Sequence, residues 1–163
     1  THDVGRALAW DGVDATFADS HSSRRCVMNP RQSTTSPWVV VTFDPFRRAP
    51  AAELTAMFVT QDGGSCLPRT TPGRGTYMLC LATSAPGRDD MSGPLAVALL
   101  GEDQRIDQLT FGALSPTDLP GWVRRISADT KALASIDAAV EVARQANAAH
   151  PCDGACYDDP VPR

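Results

Sequence analysis

The alternation of apolar and polar positions divides the chain into a strand-rich first two thirds and a helical last third. Trp38-Val-Val-Val-Thr-Phe43 is the clearest strand. Its β-branched and aromatic residues run without polar alternation, so both faces are apolar and the segment belongs inside a sheet. It stops at Asp44-Pro45, because proline has no N–H to continue a ladder. Residues 76–83 predict a second strand, with Tyr77, Leu79 and Leu81 on one face and Met78 and Cys80 on the other. Residues 94–100 and 106–114, separated by Gly101-Glu-Asp-Gln104, predict a long hairpin. Residues 54–60 read as a further strand, followed by a Gly/Pro-rich loop over 62–75. Residues 8–17 alternate about Asp11-Gly12 as a short hairpin or edge strand. The polar stretch 19–25 leads into Cys26-Val-Met28, and the Ser/Thr/Pro-rich stretch 29–37 reads as a loop.

The pattern then changes period. Over 130–149, Leu133, Ile136, Val140 and Ala143 recur at helical spacing, with Ser127 or Asp129 available to cap the free N–H groups and His150-Pro151 to end the helix. Because this stripe is built largely from small residues, the helix should lie flat on the sheet or on a partner. Together these elements predict a single α+β domain over 1–163. Its antiparallel, sandwich-like sheet has about six strands with the C-terminal helix packed against it, and 1–6 and 157–163 are flexible termini.

Composition narrows the setting. Five cysteines, Cys26, Cys66, Cys80, Cys152 and Cys156, are scattered through 163 residues with no CxxC pair. Zinc-ribbon sites need such knuckles, so the cysteines read first as disulfide candidates, and therefore as a sign of an oxidising compartment. Pairing of Cys66 with Cys80 would clamp a loop, and Cys152 with Cys156 would close a small ring. An odd count leaves one thiol over. The net charge of −4 excludes nucleic acid as an expected partner, since phosphate recognition needs a basic surface. No apolar run approaches the ~20 residues of a membrane helix. The chain begins Thr1-His2-Asp3 without Met, as a processed or truncated product would. Lys131 is the sole lysine beside fourteen arginines. That bias, with abundant alanine, predicts GC-rich coding, and so a high-GC bacterium or a GC-rich virus; together with the cysteines the expectation is an exported protein of a high-GC bacterium.

The candidate chemistry is sparse. His150, Cys152 and Cys156 form the best metal candidate, a soft-ligand group for copper(I) or zinc, against the simpler reading of disulfide tethers. Asp19, His21 and Ser22 or Ser23 are the residue types of a serine hydrolase. Without a GxSxG turn, however, they read as a polar surface loop. Cys26, near His21 and after Arg24-Arg25, is the most plausible thiol nucleophile, and a buried or crosslinked cysteine is the default. Arginine presents a planar fork for carboxylates, so Arg47, Arg48, Arg69 and Arg74 are the expected contact residues. The expectation is therefore a non-catalytic binding or assembly module that engages a protein partner through the 62–75 loop and the arginine-rich turns. It needs no cofactor. A soft-metal-binding or thiol-redox protein built on the His/Cys tail is the alternative.

Overall fold

The computed structural model describes residues 2–20, 23–31, 38–43, 52, 55–56, 65–82, 95–100, 106–112 and 130–149. Helix α1 (His2–Ala7) opens the chain, and seven strands follow: β1 (Val13–Ser20), β2 (Ser23–Pro30), β3 (Trp38–Phe43), β4 (Ser65–Thr70), β5 (Thr76–Ala82), β6 (Leu95–Leu99) and β7 (Gln108–Gly112). Helix α2 (Thr130–Ala149) closes the described part, with the bounds its periodicity predicts.

All seven strands join one antiparallel sheet in the order β1-β2-β3-β7-β6-β5-β4. Strands β1 to β3 form a meander. The chain then crosses to the far edge, and β4 to β7 run back inward until β7 pairs with β3. Two stretches of local pairing are thus joined by one non-local seam, Val39 opposite Phe111 and Val41 opposite Leu109.

The expected architecture holds at the level of an antiparallel sheet with a C-terminal helix, and differs in detail. Among the described residues the sheet has seven strands rather than about six, and the sandwich-like packing is not seen among them. The 62–75 segment reads as a loop in sequence, yet Ser65–Thr70 is edge strand β4. The 54–60 segment reads as a strand, yet Thr55 and Ala56, with Ala52 before them, are helical. At the N-terminus, α1 ends in a Schellman-type closure, with Trp10 N–H bonding to Gly5 C=O and Ala9 N–H to Arg6 C=O. Only then does β1 begin. The polar residues Asp19, Ser20 and Ser23 to Arg25 belong to the β1–β2 hairpin rather than to a loop.

The period-two pattern of β5 divides as expected. Tyr77, Leu79 and Leu81 enter the main core, and Cys80 with Met78 enters a second cluster on the opposite face. The main core stacks Cys26 and Met28 of β2, Val39 and Val41 of β3, Leu109 and Phe111 of β7, and Ala96 and Ala98 of β6 beneath Leu133, Ile136, Ala139, Val140 and Ala143 of α2. Alanines meet on both sides of this interface, Ala96 and Ala98 below and Ala139 and Ala143 above. Helix α1 rests against α2. Val40, Thr42, Val97, Leu99 and Cys80 are buried on the other face.

Because Ile136 is 1% exposed at the centre of the helix–sheet interface, Ile136→Ala should cost about 2–5 kcal/mol in urea unfolding. Ala134→Gln, on the exposed side of α2, should stay within about 0.5 kcal/mol. Equal effects would contradict this packing.

Candidate functional site: the β4–β5 hairpin

Strand β4 lies at the edge of the sheet, and an isolated edge hairpin is weakly held. Here it is fastened from both faces. On the face away from α2, Cys66 and Cys80 stand directly opposite one another and form a disulfide across the two strands. On the helix face, Asp137 of α2 takes three hydrogen bonds. The Tyr77 hydroxyl donates to Oδ1 at 2.7 Å, Arg69 Nε donates to the same oxygen at 3.1 Å, and Arg69 Nη2 donates to Oδ2. The Arg69 fork is therefore bidentate on Asp137, with side chains only 23% and 12% exposed. A carboxylate this deep is costly without partners, and these three donors satisfy it. Burial first, then the bond to Asp137, pushes the Tyr77 phenol well above its ordinary value, so it remains a donor. The bond to Asp137 likewise raises Arg69.

One helical turn further along α2, Glu141 accepts from the buried Thr71 hydroxyl, from Arg144 Nε at 3.2 Å and from Gln145 Nε2 at 3.1 Å. The Thr71 bond is the largest influence holding its carboxyl below the ordinary 4.5. Asn147 fixes the end of the helix, its amide accepting from Ile106 N–H at 2.8 Å and donating to Ile106 C=O at 2.9 Å.

The tip of the hairpin follows from these contacts. Thr71 N–H bonds to Gly75 C=O at 2.7 Å and Arg74 N–H to Thr71 C=O at 2.9 Å, enclosing the three-residue loop Pro72-Gly73-Arg74. Pro72 takes the first inner position of the turn, where its fixed φ fits. A Cβ on Gly73 would stand 2.2 Å from Glu141 Oε1, and one on Gly75 would stand 2.1 Å from Arg144 Nε. The two glycines thus allow the turn to sit on the helix. Pro72, Gly73, Arg74 and Thr76 are exposed, whereas Thr71 is buried.

Register also explains Pro68. The Thr71–Gly75 bond and the 4.0 Å Cα separation at Cys66–Cys80 make 67 and 69 the hydrogen-bonded positions and 66, 68 and 70 the outward ones. Pro68 thus loses no ladder bond and removes the middle donor from the open edge, a common guard against strand addition.

The expected site residues are placed as follows. Arg69 is engaged with Asp137, while Arg74 is exposed at the tip with φ 64. Arg47 and Arg48 lie outside the described residues, as do His21, His150, Cys152, Cys156 and the capping candidates Ser127 and Asp129. Cys66 is paired with Cys80, but it joins two strands rather than clamping a loop. Cys26 is a free thiol, 2% exposed in the main core, and burial raises its pKa. That is the opposite of what a nucleophilic thiol needs. Among the described residues no three His, Cys, Asp or Glu side chains gather as a metal site, and no helix is long and apolar enough to cross a membrane. Asp137, Glu141 and Arg144 escape a reading of the sequence alone. Asp137 carries a signal: it falls on the same helical stripe as Leu133, Ile136 and Val140. Comparison with protein-family models, with curated proteins and with solved structures finds no match to this chain.

Removing Asp137 would leave the Arg69 guanidinium half-buried without its acid, so Asp137→Ala should cost about 3 kcal/mol, against about 1 kcal/mol for Tyr77→Phe. Near-equal losses would show that the ion pair adds little. For Glu141, the lowered folded value means its contribution is fully present above the ordinary 4.5 and disappears as pH falls through the lowered one. Glu141→Gln should therefore flatten the acid limb of stability against pH, measured by urea midpoints between pH 6 and pH 3. An unchanged slope would contradict the Thr71–Glu141 bond.

Proposed function

We propose that this chain is a non-catalytic binding or assembly module of an exported protein, which engages a protein partner through the β4–β5 hairpin and neighbouring arginine-bearing turns. The observation that carries this reading is the double fastening of an exposed hairpin tip. A disulfide holds one face of the hairpin, and the Arg69–Asp137 and Thr71–Glu141 contacts hold the other. A loop fixed before it meets its partner loses less conformational entropy on binding, and such loops on firm scaffolds commonly carry recognition. The disulfide also favours an oxidising compartment, periplasmic or extracellular, where such bonds persist. The high-GC bacterial source rests on the arginine and alanine usage of the sequence.

Two measurements follow. A photo-crosslinking residue at Thr76, on the exposed tip, should give a discrete adduct in extracts of cells that produce the protein. The same residue at Ala148, exposed on α2, should not. Equal labelling at both positions, or none at either, would count against a hairpin interface. Second, Cys66→Ala with Cys80→Ala reopens a crosslink spanning 14 positions, and should lower stability by about 3 kcal/mol without changing strand content. A loss near zero would remove the disulfide from the argument.

A further inference from the structure

We propose that Arg74 is the anchor by which the β4–β5 hairpin grips a carboxylate-bearing segment of its protein partner. This rests on the binding-module reading and deepens it. The third residue of a three-residue hairpin loop adopts the left-handed conformation, a position that glycine takes without steric cost. In this hairpin Arg74 occupies it, at φ 64, between two glycines. Neither glycine is free to supply the turn's flexibility, because each is fixed by contact with α2, Gly73 against Glu141 and Gly75 against Arg144. The chain thus places a guanidinium at the tip position whose left-handed backbone disfavours a side chain. Strain of this kind in a non-glycine residue is concentrated at ligand clamps.

Among the described residues the guanidinium has no partner that would tie it to the fold. The residue is exposed, and none of its side-chain nitrogens makes an ion pair or hydrogen bond with another described residue. Ala9 shares the left-handed conformation at φ 57, but it closes helix α1 and carries only a methyl group. Arg74 is also not isolated in charge. Arg144, 38% exposed, lies against Gly75, so two guanidinium groups flank the same turn, one of them already shared with Glu141.

The chemistry these groups select is a planar oxyanion, which a guanidinium fork binds in bidentate fashion. A carboxylate-bearing protein segment fits better than a nucleic acid or a lipid surface. The chain carries a net charge of −4, which repels nucleic acid and anionic lipid, while one or two forks match one or two acidic side chains.

The test uses the full chain, labelled with nitrogen-15, at low salt. A blocked hexaglutamate peptide is the probe, blocked hexaglutamine the neutral control, and inorganic phosphate the competing oxyanion. Hexaglutamate should produce saturable shifts in the backbone amides of Gly73, Arg74, Gly75 and Thr76, and hexaglutamine none. Arg74→Gly should weaken that binding about fivefold or more, the scale of one exposed charge contact. It should also raise Tm by about 1–3 °C through relief of the left-handed residue. Arg74→Lys should recover part of the binding and none of the Tm gain. Undiminished binding by Arg74→Gly, with shifts still at the hairpin, would overturn the anchor. So would a fall in Tm, which would mean that the fold uses the side chain. Tighter saturation by phosphate than by hexaglutamate would overturn the carboxylate assignment. An adduct from Thr76 alongside a silent Arg74 would leave the binding-module reading standing, which separates the two failures.

Discussion

Asp137 is buried beneath an edge hairpin, and much of the described structure is arranged around the need to satisfy it. A carboxylate inside a helix–sheet interface must find donors, because its desolvation is not repaid by packing. Tyr77 reaches it from β5 and Arg69 from β4, so the acid can be satisfied only if both strands of the hairpin are in register beneath α2. A one-residue slip of β4 would turn Arg69 to the other face and separate Cys66 from Cys80. The polar seam and the disulfide therefore specify the same register from opposite faces.

That agreement matters because the sheet is built from two locally paired meanders, joined where β3 meets β7. The centre of the sheet is held by apolar packing, with Val39, Leu79, Leu109 and Phe111 fully buried. The β4 edge has less to bury: its residues are all exposed or intermediate. Covalent and ionic contacts take the place of core packing there. The result is an edge that stays paired, resists addition of a further strand at Pro68, and projects a turn fixed to the helix by Gly73 and Gly75.

How far the fold is legible in the sequence depends on whether a segment's periodicity or its partners decide its structure. Strand β3, the two faces of β5, the β6–β7 hairpin and helix α2 have strong internal patterns, and their positions agree with those patterns. Strand β4 is hidden, because Pro68 and the glycines around it read as loop punctuation. Only the register, which places Pro68's missing N–H outward, makes a proline acceptable there. The helical residues at 52, 55 and 56 stand where the apolar run of 54–60 suits a strand, a short-run ambiguity that periodicity alone cannot resolve. In the site, Arg69 and Arg74 both stand out for their arginine chemistry, but the sequence does not separate a guanidinium held by Asp137 from one left exposed at a turn. Asp137 itself is visible as a lone acid on an apolar stripe, although its partners lie 60 and 68 positions away.

The central claim is that an edge hairpin is held as firmly as the interior of the sheet by fastenings on its two faces. Native-state amide hydrogen exchange on the oxidised protein tests it most directly, at Leu67 and Arg69, whose N–H groups point inward to β5 in this register. Edge strands ordinarily open by local fraying well below the global unfolding free energy. The account predicts that Leu67 and Arg69 exchange with protection comparable to Leu79 in the middle of β5. Exchange of Leu67 and Arg69 at the rate of a freely fraying edge, with Leu79 still protected, would contradict it.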